Sequence, residues 1–169
     1  LLTYTKDGKE ITSEEPLTFK LDTNPPDVDG EKTKLIFNAA EEIFANNLKV
    51  GGNRKDFVVR VAANDGNGIK SVELTVGDIE NPFEGIKIGT EDDNELWDIT
   101  VDSSAIGNGS VSFELTVTDN AGSSATLTKT LLVDNIEPSI TVESHTKNEQ
   151  ITGIVRLAGS TSDDFNGIS

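Results

Sequence analysis

Aspartate and asparagine residues are concentrated in the turns and hinges of this sequence, where their oxygen atoms could bind a cation. The residues concerned are Asp22, Asp27, Asp29, Asp65, Asn67, Asp119, Asn120 and Asp134. Calcium takes about six to eight oxygen ligands, mostly carboxylates and carbonyls, and flexible loops often supply them. If the fold brings these loops together, we expect a Ca²⁺ site that stiffens a hinge. The alternative is that Asp and Asn occupy turns for backbone reasons alone and stay solvated.

Few other residues offer chemistry. His145 is the only histidine, and it follows Glu143 and Ser144. Sequence neighbours do not make a catalytic triad, because nucleophilic catalysis needs an oriented base and an oxyanion site. Cysteine is absent, which excludes disulfides, cysteine nucleophiles and thiolate metal sites. Trp97 alternates with aliphatic residues, so we expect it in the core rather than on a sugar-binding surface. We therefore expect no catalytic residues and no enzymatic activity.

The charge balance limits the partners of the chain. It has 30 acidic and 14 basic side chains and a formal net charge of −16. Nucleic acids and anionic membrane surfaces attract clustered Lys and Arg, so we expect no binding to either. No apolar run approaches the roughly 20 residues of a membrane helix, so we expect no membrane insertion. Apolar residues make up only 34 % of the chain, which suits sheets with one face in water.

Alternation of apolar and polar residues with a period of two is the dominant pattern. It occurs in six runs that we predict to be strands, namely PLTFKLD, DFVVRVAAND, SVELTVGD, LWDITVD, SVSFELTVTD and ATLTKTLLVD. Dipeptides such as Asn67-Gly68 separate the runs, and Gly, Asn and Asp tolerate the positive φ of tight turns. Many short strands with such turns indicate an all-β fold, either a sandwich or a barrel.

The chain also repeats itself. Residues 7–26 align with residues 119–138, and residues 58–71 align with residues 154–169. Internal repetition of this kind is typical of tandem modules. The repeat predicts three parts, which are the terminal hairpin of a preceding module (1–22), a complete module (23–135) and the first strands of a following module (136–169).

One segment departs from both patterns. Residues 38–49, NAAEEIFANNLK, would place Ile43, Phe44 and Leu48 on one side of a helix. The segment lies where the first copy of the repeat is longer than the second. We therefore expect an insertion that forms one or two helical turns.

The incomplete outer parts have consequences for assembly. Two strands alone do not bury a core and are marginally stable in water. The expected partners are therefore neighbouring modules of the same protein. Head-to-tail self-association is a second expectation, because the leading hairpin of one molecule could complete the trailing strands of another.

The stretch VSFELTVTDNAGSSATLTKTLLVDNIEPSITV resembles the end of a bacterial immunoglobulin-like repeat. In that family a strand ends in V-x-D-x-A-G-N, a final strand follows, and V-D-N-x-x-P opens the next repeat. Ser123 replaces the last Asn of the first motif. RVAANDGNGIKSVELTV is similar to the second and third strands of the family. The resemblance implies an immunoglobulin-like antiparallel β-sandwich, which would gather loops 64–68 and 119–123 and the hinge 21–30 at one end.

The resemblance also implies a function. It is that of a non-catalytic segment of a bacterial cell-surface or secreted protein, outside the cell, acting as a stalk or adhesive filament. Calcium at the hinges would couple adjacent modules. The alternatives are a module that binds carbohydrate or a host protein, and an accessory domain of a secreted polysaccharide-degrading enzyme. A long apolar or aromatic loop would favour binding, and segments 38–54 and 81–89 are the places to look for one.

Overall fold

The computed structural model describes residues 3–12, 21–52 and 54–163. Its strands are β1 (Thr3–Lys6), β2 (Lys9–Thr12), β3 (Asp27–Val28), β4 (Lys34–Phe37), β5 (Ala40–Ile43), β6 (Lys49–Val50), β7 (Asp56–Asn64), β8 (Ile69–Val76), β9 (Phe83–Glu84), β10 (Ile86–Glu91), β11 (Asn94–Asp102), β12 (Gly109–Asp119), β13 (Ser124–Val133), β14 (Ser139–Val142) and β15 (Gly159–Ser162). A 3₁₀ turn at Ser103–Ala105 is the one helical element of the described residues. Most of the predicted strand PLTFKLD lies outside them.

Two sheets face each other and take all their strands from residues 27–133. Sheet I has the order β10-β11-β7-β4-β5, with β3 beside the end of β7, and sheet II has the order β6-β13-β12-β8-β9. Neighbouring strands are antiparallel, except that β6 runs parallel to β13. The pairs β1–β2 and β14–β15 form two separate two-stranded sheets. The prediction of an all-β fold with antiparallel sheets is therefore confirmed.

The facing sides of the two sheets share one hydrophobic core. Val59 of sheet I and Leu115 of sheet II are fully buried, as are the residues paired with them, Ile99 and Leu74. Successive side chains of a strand point to opposite faces, so the period-two pattern sends every second residue of these strands into the core. Trp97 is 9 % exposed, and its predicted place in the core is confirmed.

The helix predicted for residues 38–49 is wrong. The segment contains β5 and β6, and β5 pairs with β4 through a two-residue turn. Asn38 and Ala39 form this turn with positive φ values of 46° and 64°, which suits a tight hairpin and excludes a right-handed helix. Ile43 and Phe44 then point in opposite directions, since Ile43 is 57 % exposed and Phe44 is fully buried. The chain crosses from sheet I to sheet II at this point.

The outer face of sheet I carries a series of ion pairs across four strands. Arg60 donates to both carboxylate oxygens of Asp98, at 2.8 and 2.9 Å. Glu41 accepts from Lys34 at 2.5 Å and lies 3.7 Å from Arg60 Nη1. The hydrogen bond to Asp98 raises the pKa of Arg60, and the hydrogen bond from Lys34 lowers the pKa of Glu41. The four groups are partly exposed, so we expect each pair to stabilise the fold only modestly.

The lowered pKa of Glu41 predicts how its contribution to stability changes with pH. Its ordinary value is 4.5. Above that value the carboxylate stabilises the fold, and the contribution disappears as the pH falls through the lower pKa of the folded state. We expect the wild type to be more stable than Glu41→Gln at neutral pH, and this difference to close in acid. Urea unfolding at several pH values measures it.

The matched control is Glu73→Gln, because Glu73 is an exposed carboxylate of sheet II that makes no ion pair among the described residues. The difference in stability between the wild type and Glu73→Gln should be small, and it should not show the decrease in acid that is expected for Glu41→Gln. A difference between wild type and Glu41→Gln that stays constant from neutral to acidic pH contradicts the prediction.

Candidate functional site

The chain enters the sandwich at one end and leaves it at the other. β7 runs the length of sheet I, and its nine residues span about 30 Å. Its last residue, Asn64, pairs with Asp27 of the arriving chain, and we call this the incoming end. Asp134 follows β13 and donates its N–H to the carbonyl of Val50, close to the start of β7, and we call this the outgoing end.

Four of the predicted site residues are joined by hydrogen bonds at the incoming end. Asn67 Nδ2 donates to Asp22 Oδ2 at 2.5 Å, and the N–H of Asn67 donates to Asp65 Oδ1 at 2.7 Å. Asn120 Nδ2 donates to the carbonyl of Asn67 at 2.7 Å. We call Asp22, Asp65, Asn67 and Asn120 the incoming clasp. It ties the arriving hinge to the β7–β8 loop and to the β12–β13 turn.

The incoming clasp requires a glycine in its centre. Gly68 has φ +83°, and its N–H and carbonyl bond to the carbonyl of Asp65 and the N–H of Asn120. A Cβ atom there would lie 3.2 Å from Asn120 Nδ2 and 3.3 Å from Glu95 Oε1. The predicted turn Asn67-Gly68 therefore has a second role, which is to let two loops and the hinge approach one another.

Asp119 lies next to the incoming clasp and is fully buried. Its Oδ1 accepts the N–H groups of Gly122 and Ser123, at 2.6 and 2.9 Å, and so fixes the β12–β13 turn. Its Oδ2 is buried and has no hydrogen-bond partner among the described residues. A buried carboxylate oxygen is costly when nothing compensates it, so this atom favours a bound cation.

Asp27 and Asp29 are at the same end but have different surroundings. Asp27 is exposed on β3. Asp29 Oδ1 accepts the N–H groups of Glu31 and Lys32, as a turn former does. Lys32 Nζ lies 3.9 Å from Asp29 and 3.3 Å from Asp92, which ties the β10–β11 turn to this hinge. Asp29 is thus engaged within its own turn.

The fit to calcium is partial. Within residues 3–12, 21–52 and 54–163, no three acidic or histidine side chains converge closely enough to hold a metal ion. The residues of the incoming clasp already form hydrogen bonds with one another. This agrees with the alternative that Asp and Asn occupy these turns for backbone reasons and bind no ion. The unpaired oxygen of Asp119 is the feature that favours an ion. An ion here would draw on that oxygen and on loop carbonyls, because no three carboxylates of the described residues converge.

Asp134, the last predicted site residue, lies at the outgoing end and is 3 % exposed. Its Oδ1 accepts the N–H of Ile136 at 3.1 Å. Asn135 beside it forms a second clasp, which the sequence did not reveal. Its Nδ2 donates to the carbonyls of Ser103 and Ile106 at 2.7 and 3.2 Å, and its N–H donates to Asn108 Oδ1 at 2.6 Å. We call Asn135 and these partners the outgoing clasp.

The sequence also did not reveal the role of Glu95. This carboxylate is mostly buried at the incoming end, where it accepts from Trp97 Nε1 at 3.3 Å and pairs with Lys87 at 2.9 Å. The indole therefore has its polar partner inside the sandwich, which leaves no exposed tryptophan surface for a sugar. The acidic run around Asp92 was the only feature of the sequence that drew attention to Glu95. The register of β11 is needed to show that its side chain points inward.

His145 lies in the connection between β14 and β15. Its ring contacts Glu149 and the carbonyl of Arg156, each at 3.3 Å. The hydroxyl of Ser144 accepts the N–H of Ala158 at 2.9 Å. Both side chains thus hold the connection together.

No model of a known protein family matches the chain, and no curated protein matches its sequence. Across the described ranges, no helix has the length and apolar character needed to cross a membrane.

Proposed function

We propose that this chain is a tandem immunoglobulin-like segment of a bacterial cell-surface or secreted protein, and that it acts outside the cell as a non-catalytic spacer. Such a spacer is a stalk or adhesive filament whose hinges hold neighbouring modules at fixed angles. The proposed module boundaries are 1–22, 23–135 and 136–169. In this proposal the pairs β1–β2 and β14–β15 belong to the neighbouring modules, which are the chain's main partners.

The strand order supports the immunoglobulin-like assignment. In a seven-stranded immunoglobulin domain, strands A, B, E and D form one sheet and strands C, F and G the other. If β4, β7, β8, β10, β11, β12 and β13 are strands A to G, sheet I contains A-B-E-D in neighbouring positions and sheet II contains C-F-G. The parallel pairing of β6 with β13 adds a short strand beside G.

The observation that carries the proposal is that the same turn occurs at both hinges. Asp22 corresponds to Asp134 in the internal repeat. Asp22 Oδ1 accepts the N–H of Asn24 at 3.1 Å, and Asp134 Oδ1 accepts the N–H of Ile136 at 3.1 Å. The two turns lie at opposite ends of the sandwich, so a preceding and a following module would attach at opposite ends. Repeated hinges at opposite ends are what a linear array of modules requires.

Calcium stiffening of the incoming hinge is the second part of the proposal. The buried Oδ2 of Asp119, which has no hydrogen-bond partner among the described residues, favours it, and the carboxylates of Asp22 and Asp65 lie at the same end of the sandwich. The net charge of −16 gives a divalent cation a favourable surrounding potential. Binding would neutralise part of this cluster and lock the hinge to the module.

Distance measurements between modules test the spacer. The chain has no cysteine, so spin labels can be attached at Thr128→Cys on sheet II and Thr141→Cys on β14. We expect a narrow distance distribution, and a broader one after Asn135→Ala, because that change removes the side-chain bonds of the outgoing clasp. Asn64→Ala is the matched control, since its exposed side chain is at the other end. A parent protein with a distribution as broad as that of Asn135→Ala would rule out a stiff spacer.

Thermal unfolding with and without calcium tests the second part. A ligand at about 100 times its Kd stabilises a protein by about 2.7 kcal/mol, so saturating Ca²⁺ should raise Tm by roughly 5–10 °C. Asp119→Asn keeps the acceptor that fixes the turn and removes the unpaired carboxylate oxygen, so it should abolish most of this rise. An unchanged Tm of the parent protein in millimolar Ca²⁺ would eliminate the site.

A further inference from the structure

The outer faces of the two sheets differ in chemistry. The outer face of sheet II is rich in hydroxyl groups and carries Ser71, Glu73, Thr75, Ser112, Glu114, Thr116, Thr118, Ser124, Thr126, Thr128 and Thr130. The charged groups in this set are two carboxylates. The centre of the outer face of sheet I carries two cations and two anions, those of Lys34, Arg60, Glu41 and Asp98. On a chain with net charge −16, this neutral centre is where two copies can meet with least repulsion.

One row of residues crosses five of the six strands of sheet I, all except β3. Strand pairing places its members side by side in the order Ile43, Lys34, Arg60, Asp98 and Ile86. Residues directly opposite each other in a sheet share a face, so all five lie on the outer face. Ile43 is 57 % exposed and Ile86 is 71 % exposed. The row therefore has an exposed isoleucine at each end and Arg60 at its centre, with the cation Lys34 on one side of Arg60 and the anion Asp98 on the other.

If a second copy of this row is placed opposite the first in the reverse order, opposite charges and apolar side chains face each other. A two-fold axis along β7, in the plane between two facing copies, places Lys34 of one copy against Asp98 of the other. The same operation places each Ile43 against the other copy's Ile86. A two-fold axis along the row would instead place Lys34 on Lys34 and Asp98 on Asp98. Only the first arrangement matches opposite charges and apolar ends.

We propose that two copies of this chain associate through the outer faces of sheet I, about the axis along β7. Such an interface is isologous, because each copy contributes the same surface. The strands of both copies then run in the same direction, so the two modules lie side by side with their incoming ends together. The inference goes beyond the proposed spacer, since it concerns a sheet face and not the hinges.

The neighbouring residues are compatible with this interface. The next row contains Ile36 and Val58, which are half-buried and would lose their remaining contact with water. Ile88, at the bulge of β10, is 48 % exposed. Arg60 lies on the axis, where its bidentate pairing with Asp98 offsets the approach of its symmetry mate. Asp56 is exposed at the rim near the outgoing end, where salt largely screens its repulsion from charges more than about 8 Å away.

Cross-linking of single-cysteine variants tests the arrangement. Ile43→Cys and Ile86→Cys are prepared in the full chain, one of them labelled with heavy nitrogen, mixed, and treated with a short bismaleimide that spans about one sheet spacing, roughly 10 Å. We expect the mixed dimer to exceed both homodimers several-fold, because Ile43 faces Ile86 of the other copy. Two Ile86→Cys chains would hold their thiols about four strand spacings apart, roughly 19 Å, which the reagent does not bridge.

The matched control replaces the Ile43→Cys partner with Thr128→Cys on the outer face of sheet II, and it should give only background product. Three outcomes overturn the proposal. They are mixed dimer at the background level, Ile86→Cys homodimer as the main product, and Thr128→Cys product equal to that of Ile43→Cys. The second would indicate a different two-fold axis, and the third would indicate head-to-tail or unspecific association. None of these outcomes alters the distance distributions that test the spacer.

Discussion

Gly51→Ala should destabilise the protein by roughly 3–5 kcal/mol, with a fall in Tm on the order of 10 °C or more. Gly51 has φ +108°, and a Cβ atom there would lie 2.0 Å from the carbonyl oxygen and 2.9 Å from the nitrogen of Asp134. Neither atom belongs to a flexible side chain. The backbone must separate at the outgoing end, which breaks the hydrogen bond from Asp134 N–H to Val50, 2.9 Å long. Urea unfolding and calorimetry measure the loss.

Two controls separate the causes of this effect. Gly52 also has a positive φ, 52°, but its Cβ would be 3.9 Å from the nearest atom of Asp134, so Gly52→Ala should cost only the backbone strain, about 1 kcal/mol. Gly107 is at the same end, and a Cβ atom added to it would have no neighbour within 4 Å, so Gly107→Ala should be close to neutral. If Gly51→Ala and Gly52→Ala lose equal stability, the close approach of Asp134 is not the reason.

Phe44→Ala should cost roughly 3–5 kcal/mol, the usual range for deletion of a buried aromatic ring. Phe44 is fully buried in the segment where the chain crosses from sheet I to sheet II. Its N–H donates to the carbonyl of Thr33 at 2.9 Å, so the backbone that carries the ring is fixed. The surroundings therefore cannot collapse easily into the space left by the ring, and the cavity should persist. Equilibrium unfolding in urea measures the cost.

Ile43→Ala is the matched control, because the preceding side chain is 57 % exposed and should contribute little in the monomer. The two variants also distinguish the observed strands from the helix expected from the sequence. In a helix with Ile43 and Phe44 on one buried side, both substitutions would be costly. A loss of several kcal/mol for Ile43→Ala in dilute protein would contradict the observed strands.

The sequence predicted the parts of the fold in which a local residue pattern is compatible with a single type of secondary structure. The alternation in β7, β8, β11, β12 and β13 fixes which side chains are buried, and it identified Trp97 as a core residue. The segment around Phe44 could not be predicted in this way. Its apolar residues are spaced as in a helix because the chain changes sheets there, and that change depends on tertiary contacts. The positive φ of Ala39 is another such effect, since alanine gives no sign of a turn.

The site shows the same division. The resemblance to immunoglobulin-like repeats predicted that Asp22, Asp65, Asn67 and Asn120 would gather at one end, and hydrogen bonds join them there. It could not distinguish Asp119, whose second oxygen is unpaired, from Asp29, which only closes its own turn. The contacts of Asn135 could not be predicted, because its three partners lie about thirty residues earlier in the chain and contribute mainly backbone carbonyls. Hydrogen bonds between such distant residues do not produce a pattern of residue spacing that could be recognised in the sequence.

The arrival and departure of the chain at opposite ends of the sandwich has a mechanical consequence. Tension applied through the two hinges would act along the strands, because β7 and β13 both run between those ends. The hydrogen bonds that join β13 to β6 and β12 lie across that direction, so they would be loaded together in shear instead of being unzipped one after another. Rupture would then require many bonds to fail at once.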